Sequence, residues 1–110
     1  MTTTHITAEM FTAEFTRSLV DNKLDEFRSK HRTADSYLLD NIQFIAGKEA
    51  VQQELVAVLE ALKDNGALIT LTLNTSDFSV DSLEDEKLKA FLKGMDLIEN
   101  KSAGFARLEV

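Results

Sequence analysis

Cysteine, proline and tryptophan are absent from this 110-residue chain, and glycine occurs only four times. Without cysteine there is no disulfide framework, no thiolate nucleophile and no sulfur-based zinc site. His5 and His31 lie far apart in sequence with no matching cysteines, so a zinc centre is not expected. The glycines, Gly47, Gly66, Gly94 and Gly104, stand singly. No G-x-x-x-x-G-K-[ST] loop is therefore present to cradle phosphates. The serines lack a G-x-S-x-G elbow, and the acidic stretch Asp77, Asp81, Glu84, Asp85, Glu86 lacks EF-hand spacing. No apolar run approaches the roughly 18 residues of a membrane helix. The opening Met-Thr-Thr-Thr-His-Ile-Thr has no basic cluster followed by an apolar stretch. The expectation is a soluble cytoplasmic protein with no membrane contact.

What is present is ordinary globular material: 44% apolar and 28% charged residues, enough for one domain with its own core. The net charge is −7 and the pI near 4.7. An acidic balance of this size opposes strong nucleic-acid binding, which needs a positive face to displace counterions. Only Arg28, Lys30, His31 and Arg32 form a local basic cluster. They suit either a helix C-terminus, where cations complement the dipole, or a small phosphate site. The acidic stretch from Asp77 to Glu86 reads as a helix N-terminus or an acidic docking patch.

Hydrophobic spacing divides the chain without repeats or linkers. Thr3 to Thr7 reads as a short strand. Phe11, Phe15 and Leu19 form one stripe of a helix from Ala8 to Val20, and Lys23 to His31 a second helix with Leu24 and Phe27 inward. Ser36 to Asp40 is a short apolar strand ending in a carboxylate. Lys48 to Lys63 is the clearest helix, with Val51, Leu55, Val58, Leu59 and Leu62 on one face and Gly66 as its left-handed stop. Ala67 to Leu73 is a strand. Asp81 or Ser82 can cap a helix reaching Lys93, with Glu84 or Asp85 completing a capping box. Asp96–Glu99 and Phe105–Val110 form a hairpin across a turn at Asn100–Gly104. Strands alternating with helices predict an α/β fold around a largely parallel sheet.

The segment SYLLDNIQFIAGKEAVQQEL, residues 36–55, is the most specific. Its first part has the form of a Walker B strand, carrying Asp40 to the sheet's C-terminal edge. The following NIQFIAGKE closely resembles the run after Walker B in the AAA+ domain of the bacterial replication initiator DnaA family. Upstream, ITAEMFTAEF and DNKLDEFRSKHRTAD resemble that family's helical pair. Downstream, Thr75-Ser76-Asp77 resembles the tip of its sensor 1 strand, and Ser82 to Met95 the region of its arginine finger. The likeness covers residues 5–98. It implies a single truncated AAA+ domain over residues 1–110: a three-layer α/β sandwich with three core strands in a mostly parallel sheet, plus a C-terminal antiparallel hairpin.

Several departures accompany the likeness. The family's Walker A strand, loop and helix would lie before residue 1, and its lid and helix-turn-helix domain after Val110. The second Walker B carboxylate is here Asn41, whose amide cannot accept the attacking water's proton. Glu86 and Ala90 stand where the family presents arginines. The resemblance thus leaves a nucleotide and metal remnant at Asp40, Asn41, Thr75, Ser76 and Asp77, but implies no ATPase, no cofactor and no bound metal. Asp40 suits a metal position or the cap of a neighbouring turn. Family members also grip single-stranded DNA with this helical pair and the loop after Walker B. Lys48 is retained there, so Lys48 with Arg28, Lys30 and Arg32 are the candidate contacts, while Ala50 replaces a basic residue.

In the resembling fold the Walker A strand lies beside the sensor 1 strand, here Ala67 to Leu73. Its absence would expose an apolar edge. Either the C-terminal strand fills the vacancy or another chain pairs there, a homodimer being one form. The candidate interface is Ala67, Leu68, Ile69, Leu71 and Leu73 against Phe105, Leu108 and Val110. The leading expectation for function is a non-catalytic module that contacts DnaA and regulates initiation. A weak single-strand binder, an ATP or magnesium binder through Asp40, and a fragment without selected function are the alternatives.

Overall fold

The structure, a computed structural model, describes residues 2–74, 78–100 and 105–109. Its elements are β1 (Thr3–Thr7), α1 (Ala8–Val20), α2 (Leu24–Arg32), β2 (Ser36–Asp40), α3 (Glu49–Asp64), β3 (Leu68–Asn74), α4 (Glu86–Lys93), β4 (Asp96–Asn100) and β5 (Phe105–Glu109). Single 3-10 turns occupy Ile42–Ile45 and Val80–Ser82. Every expected strand and helix is present. The largest boundary change is at α4. Its cap is Asp85, whose side chain accepts the Leu88 N–H at 2.8 Å, while Asp81 and Ser82 belong to the preceding 3-10 turn.

The strands form one sheet in the order β1-β2-β3-β5-β4. The β1–β2 and β2–β3 ladders are parallel, and β5 is antiparallel to both β3 and β4. β4 therefore runs parallel to β3, and β5 alone is reversed. The vacancy expected beside β3 is filled by β5, in the register Leu71↔Leu108 and Leu73↔Ala106. Ala106 and Leu108 are buried at that seam. The alternative in which the β3 edge stays free for a second chain is thereby corrected, because β5 takes up that edge.

The expected α/β fold is present, a mostly parallel sheet with its C-terminal antiparallel hairpin and helices packed against it. Tyr37, Leu39, Ile69, Leu71, Leu73, Ala106 and Leu108 alternate onto one face and are buried there. On the other face His5, Leu68, Asn74, Arg107, Asp96 and Ile98 are exposed, and Leu38, Asp40, Thr70 and Thr72 half-buried. The cause is topological. Each crossover from β1 to β2, β2 to β3 and β3 to β4 moves the same way across the sheet. Right-handed crossovers then place every helix on one side. A second helical layer needs a connection running the opposite way, and the described residues contain none.

Under the helices lies an aromatic knot. Phe27 meets Phe11 edge-on at 5.3 Å between centroids, Phe15 at 5.7 Å and His31 at 4.3 Å. Alpha-1 turns inward at Phe11, Phe15 and Ser18, whereas Leu19, expected on that stripe, is 53% exposed. The stripe drifts because the helix repeats at 3.6 residues, so a fixed step of four leaves the buried face by its last turn. The apolar side of α3, including Leu55, Val58, Leu59 and Leu62, is fully buried. Each such side chain contributes about 1.5–3 kcal/mol of transfer free energy.

Candidate functional site

The C-terminal end of β2 carries the residues that the sequence singles out. Asp40 is held on both oxygens. Its Oδ2 lies 2.6 Å from His5 Nε2, and its Oδ1 accepts the Thr72 hydroxyl at 3.0 Å. The Thr72 oxygen in turn accepts the Asn41 N–H at 3.1 Å. Asn41 sits in the left-handed region at φ 64° and ψ 49°, a conformation that asparagine tolerates better than most side chains. Its carbonyl then accepts the Phe44 N–H at 3.0 Å and opens the 3-10 turn. Asp40 thus bonds across three strands, neither isolated nor capping a turn. Among the described residues no three His, Asp or Glu side chains gather as a metal site. Thr75, Ser76 and Asp77 lie outside the described residues.

The basic cluster is not an open patch. Arg28 donates from Nε and Nη2 to the carboxylate of Glu54, at 3.0–3.3 Å, and Arg32 donates to the same carboxylate at 3.2 Å. Glu54 is itself buried. Lys30 binds Glu14 at 2.9 Å. His31 is fully buried, with Nδ1 2.8 Å from the Tyr37 hydroxyl and Nε2 3.2 Å from Glu14. A carboxylate can only accept, so Nε2 carries the proton and Nδ1 accepts from Tyr37. Burial pushes the His31 pKa down, partly opposed by Glu14. Burial alone would raise the Glu14 pKa, but the bonds from Lys30 and His31 outweigh it and hold that carboxyl below its ordinary range. These cations therefore do more than complement a helix dipole: they tie α2 to α1 and α3.

Lys48 is placed differently. It precedes α3, is exposed, and its Nζ stands 4.6 Å from the centroid of the Phe44 ring, itself 39% exposed. Phe44 was not among the expected contacts. Its position two residues before Ala46-Gly47 in a loop that also holds a lysine was the available signal.

The sequence reading also missed Gln52. This buried amide donates to the Ile45 carbonyl at 2.8 Å and to Glu84 at 3.1 Å, and its oxygen accepts the Glu84 and Asp85 N–H groups at 3.0 and 2.9 Å. The Glu84 carboxylate accepts the Gly47 N–H at 2.9–3.0 Å, so it serves this clamp and takes no part in a capping box. The bonds from Gln52 and Gly47 hold its pKa down. Together these groups clamp the loop after β2 to the start of α4. A polar residue on the same helical face as Leu55, Val56 and Leu59 was the sign of it.

Of the candidate interface, Ala67, Ile69, Leu71, Leu73 and Leu108 are buried within the chain. Leu68 is 65% exposed on the uncovered face. Phe105 pairs with Asn74 in the β3–β5 ladder, and Val110 lies outside the described residues.

The sequence profile of the bacterial DnaA ATPase domain matches residues 1–98. Solved structures agree. AMPPCP-bound DnaA from Aquifex aeolicus superimposes with a TM-score of 0.79 at 27% identity, over 89% of this chain and 31% of that one. Domain III of DnaA from Thermotoga maritima gives 0.73 at 32% identity, over 82% and 38%. A replication initiator DnaA bound to AMPPCP and single-stranded DNA gives 0.74 at 26% identity, over 84% and 29%. This chain spans about a third of the length of the chains it matches. Motif, topology and both kinds of likeness converge: the chain belongs to the bacterial DnaA ATPase-domain family.

Proposed function

We propose that this chain is a non-catalytic DnaA-family module that contacts the replication initiator and regulates its assembly. The observation that carries this reading is β5, seated antiparallel against β3 where the family resemblance puts the Walker A strand. A strand cannot enter that position while β5 holds it. An ATP–magnesium centre does not suit the residues present. Both Asp40 oxygens are engaged by His5 and Thr72, Asn41 cannot act as a base, and Glu86 and Ala90 replace the finger region's arginines. Such a subunit can occupy a neighbour's assembly face and offer nothing for the next subunit to build on.

Titration with ATP and magnesium tests the non-catalytic half. No saturable heat and no phosphate release are expected at millimolar nucleotide. Tight binding with turnover would contradict it.

A second reading, weak binding of single-stranded DNA, draws support from Lys48 over the exposed Phe44 ring, a cation beside a stacking surface. The DnaA that superimposes on this fold with single-stranded DNA bound adds to that support. Arg28, Lys30 and Arg32, committed to Glu54 and Glu14, contribute little to it. Binding of an oligonucleotide that weakens with salt and is lost in Lys48→Ala would favour this reading.

A further inference from the structure

Among the described residues β1 pairs only with β2 and forms one edge of the sheet. The Thr2 carbonyl accepts the Ser36 N–H at 3.1 Å. Backbone groups alternate sides along an extended strand, so Thr3 and His5 turn their N–H and C=O outward, while Thr7, the N-cap of α1, offers only its N–H because its carbonyl opens the helix. The usual edge defences of lysine, proline or a bulge are missing from Thr3–Thr7. Along this edge runs a groove of about 520 Å³, walled on the helical side by Met10, Glu14 and Lys30. Met10 is 54% exposed there.

Charge distinguishes this edge from the other. β4 carries the exposed Asp96, and the chain has a net charge of −7, so two copies meeting at β4 set like charges together. β1 has no formally charged residue. The ionisable groups around it are already matched, His5 with Asp40 and Lys30 with Glu14.

We propose that a second copy of this chain pairs antiparallel along β1, about a two-fold axis at His5. This goes beyond the functional reading above and does not depend on it. The strand is self-complementary in that register. Thr3 faces Thr7 of the second copy, Thr4 faces Ile6, and His5 faces His5. His5 opposite His5 can form a reciprocal hydrogen-bonded pair, the Thr7 N–H can reach the Thr3 carbonyl, and threonine opposite threonine is a favourable cross-strand pair. An axis perpendicular to the sheet keeps both helical layers on one side. The two sheets then become one, with the exposed Met10 side chains beside the seam. A five-residue edge buries little area, so the association is weak, with half-dimerisation on the order of 10–100 µM.

The absence of cysteine gives a register-specific test. Opposed residues of a hydrogen-bonded antiparallel pair have Cα atoms about 5.5 Å apart, within disulfide reach. His5→Cys is expected to form a cross-linked dimer under mild oxidation. Thr3→Cys, whose two copies lie roughly 13 Å or more apart along the strands, and Ile98→Cys on β4 are expected to lag at least tenfold. Light scattering of the wild-type chain is expected to rise with concentration from 12.3 kDa to twice that mass. His5→Lys, which sets like charges opposite each other, is expected to stay monomeric with an unchanged circular dichroism spectrum. A wild-type mass that stays monomeric to near-millimolar concentration would overturn the proposal. So would growth beyond a dimer, or cross-linking of Thr3→Cys or Ile98→Cys as fast as His5→Cys.

Discussion

Single side chains hold the parts of this molecule that hydrophobic burial leaves loose. Gln52 uses both amide hydrogens and both oxygen lone pairs. Gln52→Leu keeps the volume but strands the Glu84 and Asp85 N–H groups, for an expected loss of about 2–4 kcal/mol in urea unfolding. Asp85→Ala removes only a cap and is expected to lose about 1 kcal/mol. His31 ties stability to pH. Its folded-state pKa lies below the ordinary value of 6.5 because burial disfavours the charged ring. The unfolded chain therefore binds the proton first, and stability falls as pH drops below 6.5 through the folded-state value. The groups facing His31 are Glu14, Lys30, Tyr37 and, at longer range, Glu54. Glu14, also held low, adds a loss in the same direction as pH falls below 4.5. Unfolding between pH 7 and 5 is expected to show stability declining by up to about 1.4 kcal/mol per pH unit for each titrating group. His31→Gln is expected to flatten that slope, and a slope unchanged by it would contradict the assignment.

At the scale of elements, β5 decides the fold. It covers β3 and carries β4, so deleting residues 103–110 uncovers both strands at once. Aggregation, or a melting temperature lowered by 10 °C or more, is the expected result in thermal denaturation followed by light scattering; an unchanged melting curve would refute the role given to β5. Much of this level was legible in the sequence. Period-two and near-four spacing located each strand and helix within about a residue, the start of α4 excepted, because those patterns report burial directly. The pairing of the last strand with Ala67–Leu73 was legible only through the family resemblance, since alternation in Phe105–Val110 says which face is buried and not which neighbour it meets. The cap at Asp85 was missed because Asp81, Ser82 and Asp85 all have capping chemistry. Tertiary bonds to Gln52, which local sequence does not contain, chose between them. Likewise Arg28 and Arg32 looked like an open cluster until Glu54, 22 residues beyond Arg32, arrived from α3.

Over the described residues, the sheet has a buried face under the helices and a largely polar face opposite, with β5 seated against β3. The resemblance gave the fold class, and the direction of the crossovers decides where its helices pack. The apolar run ending in a carboxylate correctly placed Asp40 at the end of its strand, but its engagement by His5 and Thr72 depends on three strands meeting and could not be read from spacing. The seating of β5 against β3 underlies the central proposal, that the chain acts on the initiator by contact. Binding of the purified chain to the full-length initiator of the same cell, measured with ATP and with ADP, tests that claim most directly. Micromolar or tighter binding that differs between the two nucleotide states is the predicted result. No binding in either state would contradict it.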